Sequence, residues 1–147
     1  MKKLELKHLC AYLPYKVEYM HNGSISRLGS YHLPLVVKSI DRGDDFKLIL
    51  RPMSDLTKPC LEGGKVPIVK LAKTLYPDQC WILDDKYALD LKCNSILGFN
   101  RQYNLFEIDQ SANCIDQLSL LNWLFEHHFD IYNLIDIGLA IDINSLN

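Results

Sequence analysis

The 147-residue sequence predicts an α+β fold, with antiparallel strands, one central helix and a C-terminal helix pair in a single compact domain. Three observations predict this fold. Short segments in which apolar and polar residues alternate occur in two groups, before residue 52 and after residue 79. A helix-spaced apolar stripe separates the two groups. A further helical pattern with clear start and stop signals lies near the C terminus.

The first third of the chain is predicted to be mostly strand. Residues 3–13 are predicted to form a short helix that ends at Pro14, although alternation fits them almost as well. Residues 16–51 follow a period near two and are predicted to form an antiparallel meander with a turn at Asn22-Gly23. The four predicted strands are "KVEYMH", "SRLGSYHL", "LVVKSI" and "FKLILR".

The centre of the chain is predicted to hold one helix followed by a second group of strands. The helix follows Gly63-Gly64 and ends at Pro77. Its apolar stripe consists of Ile68, Leu71, Ala72 and Leu75. The strands are predicted at "CWILDD", "YALDLKC" and "YNLFEID", with Leu89, Leu91 and Cys93 on one face of the second strand. The connection "NSILGFNRQ" is predicted to be a long hairpin loop.

A helix is predicted to begin near Cys114, with Asn113 as its N-cap. Projection at 100° per residue places one set of apolar side chains on a narrow face, which is predicted to pack into the core. That set is Cys114, Leu118, Leu121, Phe125 and Phe129.

The end of the chain is predicted to form a second helix and a closing strand. Asp130 is predicted to cap the short helix "IYNLIDI", and Gly138 takes the left-handed position after its end. This register pairs Leu139 with Leu134 in the hydrophobic contact of a Schellman ending. The alternation in "LAIDIN" predicts a strand.

The helix near residue 114 carries a second apolar face opposite the first. It comprises Leu120, Trp123, Leu124 and His127, at the spacing i, i+3, i+4 and i+7. One interpretation is that the short helix or the closing strand covers this face. The other is that the face stays open and binds a protein, because Trp is a favoured anchor residue at interfaces. These four residues are therefore the candidate partner-binding residues.

The histidine pair His127-His128 is not predicted to form a metal site. Neighbours on a helix point in different directions, and a helical zinc pair needs histidines four residues apart, as in H-E-x-x-H. The five cysteines form no C-x-x-C pair. No cofactor is predicted, and no catalytic residue is assigned.

Charge and motifs limit the classes of function. Sixteen basic and eighteen acidic residues give a net charge of −2, which disfavours nucleic acid as a partner. Lys65, Lys70 and Lys73 form a local basic group, and we interpret Lys70 and Lys73 as the solvated side of the central helix. Dinucleotide, nucleotide-phosphate and serine-hydrolase motifs are absent from the sequence. No motif favours enzyme activity, although distant residues could still converge.

The composition, 48% hydrophobic and 23% charged, is that of one globular domain over residues 1–147, with sub-lobes 1–58 and 65–147 as an alternative division. The N-terminal lysines resemble a secretion signal, but polar residues interrupt the apolar stretch that should follow. No segment has the length of a membrane span. We therefore expect a cytoplasmic protein in the host cell, and pairing of two copies through a strand edge remains open.

Two separated blocks, "LILRPMSDLTK" followed by "VPI", and "HFDIYNLIDIGLAIDINSL", resemble small proteins encoded by phages and integrated mobile elements of Bacteroidetes. That group has no established activity, so the resemblance implies an origin and transfers no functional residues. Small phage proteins commonly act by binding a host or phage protein.

The functional prediction is a small cytosolic accessory protein of a phage or mobile element. It would act as a protein-binding module and inhibit a host system. A small metal-dependent hydrolase or nuclease is one alternative. A nucleic-acid-binding protein that uses the region from Lys65 to Lys73 is the other.

Overall fold

The computed structural model describes residues 2–109 and 116–146, and it has the predicted α+β fold. The chain divides into two compact units. The first comprises residues up to Met53 together with those from Leu124 onwards, and the second runs from Ser54 to Trp123. This division differs from sub-lobes 1–58 and 65–147, because the C-terminal segment returns to the first unit. That residues 1–147 form one domain stays a prediction.

The first unit contains a four-stranded mixed sheet and two helices. Its elements are α1 (Leu6–Tyr12), β1 (Glu18–His21), β2 (Ser24–Arg27), α2 (Leu33–Arg42), β3 (Phe46–Leu50) and β8 (Ala140–Asp142). The strand order is β2-β1-β3-β8, with β1 antiparallel to both of its neighbours and β8 parallel to β3. The predicted first helix and the Asn22-Gly23 turn are confirmed, the latter with positive φ at both residues.

The predicted strand "LVVKSI" is wrong, because these residues belong to α2. Val36 is buried, and the residues around it pack against the same core at helical spacing: Leu33, Val37 and Ile40. Pro34 lies in the first turn, where its missing N–H costs nothing, and Gly43 ends the helix with a φ of 82°. The end signals therefore outweigh the strand preference of the two valines.

The second helix that the sequence predicts at residues 131–137 does not form, and the C-terminal segment instead ends in a 3-10 helix at Ile143–Leu146. Residues 131–137 form turns, so the predicted helix pair is corrected to one helix. Asn133 has a φ of 59°, which interrupts helical geometry. The predicted ending is nevertheless formed, since the Leu139 N–H donates to the Leu134 carbonyl at 2.8 Å and the Gly138 N–H to Ile135 at 3.0 Å. The predicted closing strand is confirmed as β8.

The second unit contains an antiparallel four-stranded meander and the central helix. Its elements are α3 (Pro67–Leu75), β4 (Trp81–Asp84), β5 (Tyr87–Asp90), β6 (Ile96–Asn100) and β7 (Leu105–Asp109). The strands follow one another in the order β4-β5-β6-β7. The predicted helix stripe is confirmed, with Ile68, Leu71 and Ala72 fully buried. The predicted loop "NSILGFNRQ" is wrong, because it contains β6.

The predicted faces of β5 are reversed. Ala88 and Asp90 are buried, whereas Leu91 is exposed and lies beyond the strand end. The Asp90 carboxylate accepts the backbone N–H groups of Cys80 and Lys92 at 3.1 and 3.0 Å. A carboxylate with such donors is stable in a buried position. The alternation of apolar and charged residues in β5 therefore indicated the wrong face as the solvent face.

Helix α4 (Gln117–Glu126) begins later than predicted, and Asp116 caps it through the backbone N–H of Ser119 at 3.1 Å. The predicted cap Asn113 and the predicted start Cys114 lie outside the described residues. The predicted core face is wrong at Leu118, which is 69% exposed, although Phe129 is fully buried. No helix in residues 2–109 and 116–146 is long and apolar enough to span a membrane.

Candidate functional site

A groove of about 540 Å³ lies between α3 and the edge strand β4. All of its lining residues belong to the second unit. Five of them are apolar and three are lysines: Lys65, Val66, Val69, Lys70, Lys73, Thr74, Trp81, Ile82 and Leu83. Its volume falls within the roughly 300 to 1,000 Å³ of typical ligand pockets, and a mostly apolar lining with few polar groups is typical of binding sites.

Helix α3 supplies one wall of the groove through residues at helical spacing. Val66 and Val69, with Lys70 and Lys73, recur at i, i+3, i+4 and i+7 and so share one side of the helix. The neighbouring side of α3 is the buried stripe that packs on the sheet. Pro67 occupies the first helical position, where its fixed φ favours helix formation, and thereby fixes where the wall begins.

Strand β4 supplies the other wall and is an edge strand. Its one partner among the described strands is β5, and the hairpin closes from Asp84 to Tyr87. The Leu91 N–H donates to the Cys80 carbonyl at 2.9 Å, so the backbone of Cys80 points towards β5. Because this direction alternates along a strand, the N–H and C=O groups of Trp81 and Leu83 point away from the sheet.

The base of the groove is apolar, and Trp81 within it is fixed by contacts with Tyr76. Trp81 is 1% exposed, its indole N–H donates to the Tyr76 carbonyl at 3.3 Å, and the two rings lie 6.0 Å apart. Ile82 and Leu83 are 41% and 37% exposed, which is high for large apolar side chains in a strand. A rigid base with exposed apolar residues beside it is suited to packing against a ligand.

The groove is positively charged. Lys65, Lys70 and Lys73 are the three ionisable lining residues, and no carboxylate lines it. In the part of the chain that the structure describes, none of the three ammonium groups has a carboxylate within 4.0 Å. The sequence indicates this basic group, and Lys70 and Lys73 were predicted to lie on the solvated side of the helix. The structure shows that the three lysines border one apolar groove.

The candidate docking residues predicted from the sequence are not on the surface. Leu120 and Leu124 are fully buried and Trp123 is 8% exposed, while His127 is half-buried in the turn after α4. The interpretation that the face stays open is therefore wrong for Leu120, Trp123 and Leu124, which are buried. That the short helix covers the face is also wrong, because residues 131–137 form turns. Covering by the closing strand stays a prediction. An amphipathic pattern identifies a buried side, but it does not say which of two apolar sides is covered.

In the histidine pair, His128 has a structural role. His128 has a φ of 60°, and its Nε2 lies 2.9 Å from the Tyr15 carbonyl, which can only accept a hydrogen bond. Its own carbonyl accepts the Arg51 N–H at 2.8 Å. Within the described residues, no three His, Cys, Asp or Glu side chains are grouped so that they could hold a metal ion.

The cysteine at 93 lacks the environment of an activated nucleophile. Its hydrogen bond with the Asp90 carboxylate raises the pKa of the Cys93 thiol, which favours the unreactive protonated form. Burial of Asp90 opposes its ionisation, but hydrogen bonds from the backbone of Lys92 and Cys80 and from Cys93 together hold the pKa of Asp90 below its usual value. This pair therefore stabilises a turn and does not suggest thiolate chemistry.

No protein-family model matches the chain, and neither a curated protein nor a solved structure matches it. The functional assignment therefore depends on the groove itself.

Proposed function

We propose that the protein is a protein-binding module whose docking surface is the groove between α3 and β4. The observation that carries this proposal is the combination of an apolar base, three unpaired lysines and a strand edge with outward backbone groups. Protein segments offer apolar side chains, charges and backbone hydrogen bonds together, so they complement all three features.

The groove fits a protein ligand better than the alternatives. Catalysis needs a general acid, a base or a nucleophile at the reacting atoms, and the lysines and Thr74 are the only lining side chains that could serve. Nucleic-acid binding depends mainly on many phosphate contacts, whereas five of the lining residues are apolar and the chain carries a net charge of −2.

The broader proposal is that this module is an accessory factor of a phage or mobile element and acts on a host system. It rests on the resemblance of the two sequence blocks alone. The groove supports only the narrower part, which is binding to another protein.

Selection from a display library of random peptides, with the full chain as immobilised target, tests the proposed function. The test variant is Lys70→Glu with Lys73→Glu, and the control is Lys38→Glu with Arg42→Glu on α2. Each pair lies on one helix and includes a residue of its last turn, so both variants disturb the helix dipole similarly. We expect the selected peptides to bind the wild type and the control but not the test variant.

Two results would contradict this proposal. One is that no peptide is enriched, and the other is that enriched peptides bind the α3 variant as well as the wild type. A labelled single-stranded oligonucleotide of twenty thymidines checks the nucleic-acid alternative. Tight binding of this oligonucleotide that falls steeply with salt would favour that alternative instead.

A further inference from the structure

We propose that the partner of this groove is an extended acidic segment that pairs with β4 and adds a fifth strand to the second sheet. This inference rests on the proposed function and specifies the chemistry of the partner. Its basis is the juxtaposition of an unpaired strand edge, a row of lysines above one face and an exposed isoleucine on the other.

The two edges of the second sheet differ in their backbone hydrogen bonding. At β7, the Gln117 side chain accepts the Phe106 N–H at 3.0 Å and donates to the Phe106 carbonyl at 2.6 Å, so it occupies a position that another strand could take. At β4, the outward N–H and C=O groups of Trp81 and Leu83 have no partner among the described residues. An open edge of this kind is a template for an added strand.

The groove has the length of a short strand. Helix α3 has nine residues, which at about 1.5 Å per residue extend about 14 Å. Strand β4 has four residues, which at about 3.4 Å per residue also extend about 14 Å. Since the two walls match in length, the groove accommodates about four residues of an extended chain along its whole length.

The two faces of an added strand would meet different surroundings. Side chains on the α3 side would meet Lys65, Lys70 and Lys73, so acidic residues fit there. Side chains on the opposite face would lie beside Ile82, which is 41% exposed, so apolar residues fit there. The preferred partner segment therefore alternates acidic and apolar residues.

A second copy of this chain is a poorer occupant. Antiparallel pairing of two β4 strands relates the copies by a two-fold axis perpendicular to the sheet, which places both α3 helices on the same face. The lysine rows would then face each other across the joint. Like charges in that position disfavour association.

The blocked peptide acetyl-Glu-Val-Glu-Val-Glu-Val-Glu-amide is the probe, added to the full isotope-labelled chain while amide hydrogen exchange is followed by NMR. We expect exchange at Trp81 and Leu83 to slow at least tenfold on binding. Exchange at Ile82 and Asp84, whose N–H groups already point to β5, should stay unchanged. This alternation is specific to strand addition, because a ligand that merely covers the groove would slow neighbouring amides without a two-residue period.

Three further peptides test the separate parts of the inference. Methylation of the backbone nitrogens of the valines removes donors from one edge of the peptide, and methylation of those of the glutamates removes donors from the other edge. We expect one of the two to weaken binding at least tenfold and the other to have little effect. Replacing every Glu by Lys should abolish binding, and equal binding of that peptide would overturn the acidic class of partner.

The failure of this inference is distinguishable from failure of the proposed function. If display-selected peptides bind in the groove but Trp81 and Leu83 exchange as before, strand addition is overturned and protein binding stands. If neither the selected peptides nor the probe bind, both proposals are overturned. If the chain forms dimers in sedimentation velocity and the probe neither binds nor dissociates them, the second-copy occupant replaces the acidic partner.

Discussion

His8 is a histidine held in its neutral form by its surroundings in the first unit. It is 8% exposed, its Nδ1 accepts the Glu5 N–H at 3.0 Å, and its ring meets that of Tyr132 edge-on at 5.0 Å. Burial lowers the pKa of His8, and the nearby carboxylates of Glu5 and Asp130 only partly oppose this effect. The folded state therefore binds a proton at this site less readily than the unfolded chain.

This lowered pKa makes stability depend on pH. Between the folded pKa of His8 and about 6.5, the ordinary histidine value, the unfolded chain binds more protons than the folded chain. His8 thus contributes stability that is complete above about pH 6.5 and is lost as the pH falls through that range. We expect the melting temperature of the wild type to fall more between pH 7.5 and 5.5 than that of His8→Asn. Equal falls in thermal melts would contradict this prediction.

Residues whose partners are close in sequence were predictable, and those with distant partners were not. The Schellman ending that involves Leu134, Gly138 and Leu139 was predicted correctly, because its hydrogen bonds join residues at most five positions apart. Asp90 was assigned to the solvent face because its partner Cys80 lies ten residues away and donates through the backbone, which leaves no mark on side-chain alternation.

At the scale of an element, α4 shows why a helix with two apolar sides is ambiguous. Its periodicity identifies both sides, but burial depends on what packs against it. Leu118, which the sequence assigned to the core, is 69% exposed, whereas Leu120, for whose face two interpretations were given, is fully buried. In α2, by contrast, the sequence does contain the start and stop signals of the helix, Pro34 and Gly43. The strand prediction followed the β-branched residues between them and was wrong.

The two leucines of α4 give a direct test of this assignment. We expect Leu120→Ala to reduce the free energy of unfolding by about 2 to 5 kcal/mol, because it removes fully buried methyl groups. The matched change Leu118→Ala should alter it by less than about 0.5 kcal/mol, because that side chain is mostly in water. Urea denaturation measures both. A larger loss for Leu118→Ala than for Leu120→Ala would return Leu118 to the core.

The groove could be predicted only in part for a similar reason. The spacing of Lys70 and Lys73 correctly places both on the side of α3 away from the buried stripe. That β4 lies at the edge of its sheet is a property of strand order, which a single sequence does not specify. The lysines were therefore assigned to a solvated surface, and their position beside an open strand edge became visible only with the strands in place.

At the scale of the whole molecule, the first unit is assembled from both ends of the chain. Strand β8 pairs in parallel with β3, with Ile141 opposite Ile49. Nearby, the Asp130 N–H donates to the Arg51 carbonyl at 2.8 Å. The buried cluster of this unit likewise contains Leu134 and Ala140 from the C-terminal segment. The N-terminal residues alone therefore form an incomplete sheet and core.

A chain that ends at Leu139 tests how much this unit depends on β8. The truncated chain lacks β8, so those amides of Leu48 to Leu50 that point towards β8 and not towards β1 should lose protection against hydrogen exchange. The amides of β5 and β6 in the same sample provide the internal reference. Undiminished protection of β3 in the truncated chain would show that β8 contributes little.

The parallel joint of β3 and β8 also has a consequence for biosynthesis. A ribosome makes β3 before β8, and about ninety residues must be added after β3 before this joint can form. Every residue of the second unit is translated within that interval. The edge of β3 that pairs with Ala140 therefore lacks its β8 partner throughout that interval, when the nascent chain is accessible to chaperones.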